Sequence, residues 1–142
     1  MSVIKWQHNG RQIFLPIAIL RPNAATDITF AQVTALVDTG ATTSGISWSA
    51  VNQLGLVSHT KKLLRSAHGE DHVPYFIFRI GFFPDVPASD RAQAPLFPFI
   101  FPESEGFACT SGSEYQAILG MDILRQCDLS IDRNGCCVLA FG

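Results

Sequence analysis

The sequence predicts an all-β fold carrying one or two short helices. Three observations predict it. Hydrophobic residues recur with period two, in short runs rich in β-branched and aromatic side chains. Asn-Gly, glycine and proline turn formers bound those runs. The chain has 142 residues, 47% of them hydrophobic, which suits a single domain over 1–142.

Residues 2–7 and 11–21 read as strands joined in a hairpin by Asn9-Gly10. Residues 30–37 form a third strand that ends at Asp38-Thr39-Gly40, and 45–47 a brief fourth. Ser49 is expected to cap a short helix over 50–54 that Gly55 stops, with Val51 and Leu54 on one face. Residues 61–66 and 72–83 read as a long hairpin turning at Ala67-His68-Gly69-Glu70. Residues 84–102 hold five of the eight prolines, so the segment reads as a long surface connection with an extended piece at 96–101. Residues 103–114 are small, polar and glycine-containing, hence a loop, and the whole of 84–116 is a possible insertion. Residues 117–119 form a short apolar strand, and 122–126 a helix with Ile123, Leu124 and Cys127 on one face. Strands at 129–132 and 136–141 close the chain through Asn134-Gly135.

Charged residues make up only 15% of the chain, against roughly 25% in an ordinary soluble domain. A short chain has much surface for its core, so a partner subunit covering part of it is expected. The net charge of −2, with scattered basic residues, gives no footprint for nucleic acid. The most apolar stretches, 13–20 and 96–101, fall well short of the ~20 residues of a spanning helix, and both contain proline. The amino terminus shows no basic segment followed by an apolar core and a cleavage site, so a cytoplasmic location and reduced cysteines are expected. Cys109, Cys127, Cys136 and Cys137 make no C-x-x-C spacing, and His8, His59, His68 and His72 pair with none of them, so neither metal nor cofactor is expected.

The chemistry is concentrated in Ala35-Leu36-Val37-Asp38-Thr39-Gly40-Ala41-Thr42-Thr43. A carboxylate emerges there from a hydrophobic strand into a tight turn. Gly40 carries no Cβ to keep a ligand or a second backbone away, and the Thr39 hydroxyl can bond to a neighbouring chain. Asp-Thr-Gly is also ordinary turn chemistry at a strand end, so its setting decides its meaning. Asp122 lacks the following Thr or Ser and Gly, and reads as a helix N-cap or half of a structural ion pair. The other aspartates lie in turns or at strand ends, and Cys109 has no evident histidine partner.

Leu36-Val37-Asp38-Thr39-Gly40-Ala41 resembles the retroviral-type (retropepsin-like) aspartic proteases. About eighty residues later, Ile118-Leu119-Gly120-Met121-Asp122 is similar to that family's apolar-apolar-Gly element leading into its C-terminal helix. The hairpin between them matches the family's flap in position. The resemblance implies a closed acid-protease barrel with a flap hairpin, and a homodimer in which each subunit supplies one Asp. It implies Asp38 as the catalytic acid, with Thr39 and Gly40 supporting its loop. Gly40, Ala41 and Thr42, with Ala67, His68 and Gly69 at the flap tip, would bind a polypeptide substrate. The implied activity is an aspartic endopeptidase acting on extended, largely apolar peptides. The alternative is a catalytically weak or inactive peptide-binding or dimerisation module on the same fold.

The chain departs from the family at two positions. Thr42 stands where an acidic residue is usual and Met121 where arginine is common, so both halves of an ion pair are missing together. In the family the chain ends pair across the two-fold axis. Residues 3–6 and 138–141 are apolar enough to be sticky edges in a monomer, and so to form that interface.

Overall fold

The computed structural model describes residues 1–22, 24–66, 69–85, 97–109 and 114–142. The strands are β1 (Ser2–Gln7), β2 (Phe14–Leu20), β3 (Phe30–Val37), β4 (Gly45–Ser47), β5 (Thr60–Ser66), β6 (Gly69–Phe82), β7 (Phe99–Ile100), β8 (Ser104–Cys109), β9 (Ala117–Leu119), β10 (Asp128–Ile131) and β11 (Cys136–Phe141). Two short helices, α1 (Trp48–Leu54) and α2 (Met121–Leu124), interrupt them. The molecule is mostly β, as the alternating pattern predicts.

The larger sheet runs β2-β3-β9-β4-β8-β6-β5, and β2 also pairs with β6, so six of its strands form a closed ring. Phe78, Phe82, Ile17, Ile19, Ile46, Ile80 and Leu119 fill its interior. The two prolines inside strands sit where a strand has one partner. Pro16 precedes the stretch of β2 paired with β6, and Pro74 lies just beyond the residues of β6 paired with β8. A missing N–H there breaks no second ladder.

Three local expectations change. Asn9-Gly10 does not join β1 to β2 as a hairpin, because β1 pairs with β11 from Ser2↔Phe141 to Gln7↔Cys136. Asn9 Oδ1 instead accepts from the N–H groups of Arg11 and Gln12, both at 2.8 Å, and turns the chain from one sheet into the other. Ser47, not Ser49, caps α1, its hydroxyl accepting from Ala50 N at 3.2 Å, while Gly55 at φ 64° ends the helix as expected. Residues 104–109 are a strand, not a loop. β8 lies between β4 and β6, and Gly106 is required there because a Cβ would come within 2.4 Å of Ser44 O and 2.6 Å of the Phe78 ring. The described part of the possible insertion is therefore integral to the sheet, and 86–96 and 110–113 lie outside the described residues.

Of the two terminal strands, β1 lies at a sheet edge and β11 does not. The smaller sheet runs β1-β11-β10, placing β11 in its centre. The outer edge of β1 is occupied by Asp85, whose N–H donates to Val3 O and whose Oδ2 accepts from Lys5 N, both at 2.9 Å. Cys137, Leu139 and Phe141 point from β11 into the core, with Phe141 packed on Phe82 at 5.2 Å between ring centroids. Removing residues 138–142 therefore strips two core side chains and a central strand. At about 2–5 kcal/mol for each large apolar side chain, against a total stability of roughly 5–15 kcal/mol, the shortened chain is expected to lose its cooperative thermal transition by circular dichroism. A shortened chain that melts like the full one would disprove this role for β11.

Candidate active site

β3 delivers Asp38 to the site. Val37 N donates to Ile13 O at 2.8 Å, and Asp38 N donates to Leu119 O at 3.0 Å, extending the parallel pairing of β3 with β9 by one bond. The chain then folds back: Ala41 N donates to Asp38 O at 3.2 Å, and Gly40 N donates to Asp38 Oδ1 at 2.9 Å. One carboxylate oxygen is thus oriented by the loop's own backbone. A Cβ on Gly40 would stand 3.2 Å from that oxygen, a close approach that glycine relieves. Asp38 is half-buried, while Thr39 and Gly40 are exposed beside it.

A second segment clamps this loop from behind. Met121 N donates to Ala41 O at 2.8 Å, and Asp122 N to Thr42 O at 3.2 Å. Ser44, fully buried, donates from Oγ to Asp122 Oδ1 at 2.7 Å and from N to Asp122 Oδ2 at 3.1 Å. Its hydroxyl also accepts from Gly120 N at 2.9 Å. Asp122 is therefore not the helix N-cap, and among the described residues no cation pairs with it: Gly120 occupies the cap position, and the Asp122 carboxylate braces Ser44 and its own helix through Ile123 N. The crossing is tight enough that a Cβ on Gly120 would meet the backbone of Ala41 and Thr43 at 2.9 Å. The two motifs that the sequence separates by about eighty residues are brought into direct contact.

Above Asp38 lies a cleft of about 1160 Å³. Its floor is Asp38, Gly40, Ala41, Thr42, Thr43 and Ile118, its wall is Phe107, Ala108 and Cys109 of β8, and its roof is the β5–β6 hairpin. That hairpin pairs from Thr60↔Tyr75 to Ser66↔Gly69, so the turn is tighter than the sequence suggests and Gly69 already begins β6, at φ 118°. Of the expected contact residues, Gly40, Ala41, Thr42 and Gly69 line this cleft, whereas Ala67 and His68 lie outside the described residues. Thr39 is exposed and does not line the cleft. Sequence reasoning missed Ser44, Phe107, Asp71, Val73 and Tyr75. Only strand alternation along 69–75 carried a signal for the last three.

The electrostatics set two further features. Burial pushes the Cys109 thiol up to about 11, so the one cysteine in the cleft stays protonated at neutral pH and is no nucleophile. At the hairpin base Glu105 of β8 binds Lys62 Nζ and His59 Nε2, the latter at 2.7 Å, tying β5 to β8. The Lys62 bond chiefly, with His59 assisting against burial, holds the Glu105 carboxyl below the usual range. Among the described residues no group of His, Cys, Asp and Glu could hold a metal ion, and no helix is long and apolar enough to cross a membrane.

No family model and no curated protein matches the sequence. Among solved structures the chain is similar to a retropepsin-like aspartic protease from Rickettsia conorii, with a TM-score of 0.57, 17% sequence identity, and coverage of 99% of this chain and 92% of that one. The fold is retropepsin-like. At that identity the two chains share an architecture.

Two outcomes are expected. Asp122→Ala leaves the buried Ser44 N–H and hydroxyl without their acceptor, so urea unfolding should show a loss of about 2–4 kcal/mol, while Asp122→Asn, which keeps one acceptor oxygen, loses less. Because Glu105 is held below its ordinary range, its tie is complete at neutral pH and is lost as pH falls through the lowered value. Protection of the β5 amides against hydrogen exchange, measured relative to their intrinsic rates, should therefore fall at acid pH, and Glu105→Gln should show that reduced protection already at neutral pH; equal protection in both proteins at neutral pH would dismiss the tie.

Proposed function

We propose that this protein is an aspartic endopeptidase whose active centre is assembled from Asp38 of two copies of the chain. The observation that supports the reading above all others is the placement of Asp38. Its carboxylate stands at the floor of a cleft large enough for an extended peptide, one oxygen oriented by Gly40 N and the loop braced from behind by Asp122. One such loop per chain makes the reading quaternary. The partner copy supplies the second acid, and Thr39, exposed in the single chain, bonds in this reading to the other copy's loop.

The chemistry follows from two carboxyl groups in contact. Both cannot ionise together, so the pair holds one proton over a broad pH range. The ionised member takes a proton from a water lying between them as that water attacks the scissile carbonyl. The protonated member hydrogen-bonds the carbonyl oxygen, which becomes a hydroxyl of the tetrahedral diol. The roles then reverse: one carboxyl protonates the departing amine while the other recovers a proton from the collapsing diol. The β5–β6 hairpin serves as the flap, excluding water and holding the peptide backbone in the manner of an added strand.

The test compares wild type with Asp38→Asn on a denatured proteome from about pH 4 to 7, reading new termini by mass spectrometry, with sedimentation in parallel. Wild type should cleave and sediment as a dimer when active, and Asp38→Asn should lose roughly a thousandfold or more of the activity. Equal cleavage by both proteins, or peptide binding without cleavage by wild type, overturns the catalytic assignment. The second result makes the chain a peptide-binding module.

A further inference from the structure

Strand geometry sorts the hairpin's charges. Side chains alternate between faces along a strand, and residues directly opposite in an antiparallel pair share a face. Tyr75, which packs beside Phe107 of the cleft wall at 6.2 Å between ring centroids, marks the face turned to the cleft. Val73 and Asp71 follow it at period two, and Leu64 stands opposite Asp71. That face carries two charges, Lys62 and Asp71. Lys62 is engaged by Glu105. The Asp71 carboxylate accepts from the adjacent His72 N at 2.8 Å, and among the described residues no cation pairs with it. Arg65 and Glu70, opposite one another on the other face, also reach the cleft but bind each other at 3.0 Å. The cleft as a whole is lined by three carboxylates, Asp38, Glu70 and Asp71, against one guanidinium, Arg65.

We propose that Asp71 is a specificity-determining residue that selects a lysine or arginine side chain in the bound peptide. This rests on the endopeptidase reading of the same cleft and narrows its substrate class. The chemistry of the subsite fits a long basic side chain: Leu64 and Val73 flank the carboxylate with apolar surface for an aliphatic stem, and the charged head reaches an acid that lacks a counter-ion. A cleft with excess negative charge also raises the local concentration of cationic peptides. An apolar peptide would leave Asp71 facing it unpaired, and desolvating that carboxylate without compensation is unfavourable. The substrate is thus an extended apolar segment carrying a basic residue. In a two-fold assembly the second Asp71 repeats the requirement on the other side of the scissile bond.

The experiment uses the full chain and a peptide series that carries lysine, norleucine or glutamate at each position in turn. Cleavage efficiencies are compared as ratios within each protein. Wild type should favour lysine over norleucine by about tenfold or more at one position, or at two positions mirrored about the cut. Asp71→Glu should keep the preference, Asp71→Asn should reduce it to about twofold or less, and Asp71→Lys should turn it toward glutamate. A parallel arm measures binding of the same fluorescent peptides to Asp38→Asn and to the Asp38→Asn, Asp71→Asn double variant by anisotropy. Lysine selectivity in binding that disappears in the double variant, with no cleavage by wild type, upholds Asp71 and removes the endopeptidase reading. Cleavage without a basic preference, or a preference unchanged in Asp71→Asn, overturns the inference. Failure of every peptide to be cleaved or bound overturns both.

Discussion

The structure depends on one crossing. The loop after β3 and the turn between β9 and α2 pass so closely that five hydrogen bonds join them, three of them through Ser44, and no side chain fits between. The parallel β3–β9 pairing brings the two segments side by side, and β4 lies antiparallel along the other edge of β9. Ser44 sits where the three meet and is satisfied as donor twice and acceptor once. A buried hydroxyl and amide left unpaired would cost about 1–3 kcal/mol each, so the arrangement is strongly specified. Asp38 inherits its position from that crossing and not from contacts of its own side chain alone.

The same crossing bears on the ion pair that the sequence resemblance implies at positions 42 and 121, where this chain has Thr42 and an exposed Met121. Their backbones, together with those of Ala41 and Asp122, already carry the two bonds that join the segments. An ion pair there would add side-chain chemistry to a junction the main chain has made. Losing both partners together leaves no buried charge uncompensated, which is the less costly way to lose such a pair.

The sequence made the strands legible wherever one face is buried and the other wet. β1, β3 and β11 run over the residues their alternation indicates, because period two and flanking turn formers mark them directly. β8 escaped for the opposite reason. Lying between β4 and β6, it needs Gly106 and Ala108 for close approach and carries Ser104 and Glu105 at its start, so composition disguised a central strand as a loop. Asn9-Gly10 announced a turn correctly but not the strand's partner, since a turn fixes direction and long-range pairing is decided by the core. At the site Asp38 and Gly120 were legible through their motifs. Ser44 and the brace it forms with Asp122 were not, because nothing local indicates that residues 78 apart share a hydrogen bond.

β6 has a mechanical consequence. Its 14 residues are one continuous strand, with those from Tyr75 onward held in the ring and Gly69–Pro74 extending beyond it in the ladder with β5. At about 3.3 Å per residue that overhang is about 20 Å long. It behaves as a cantilever: bending is resisted at the root, where Glu105 grips Lys62 and His59, and grows toward the free end. A load under the tip is thereby carried straight into a strand whose far end, Phe78–Phe82, is buried.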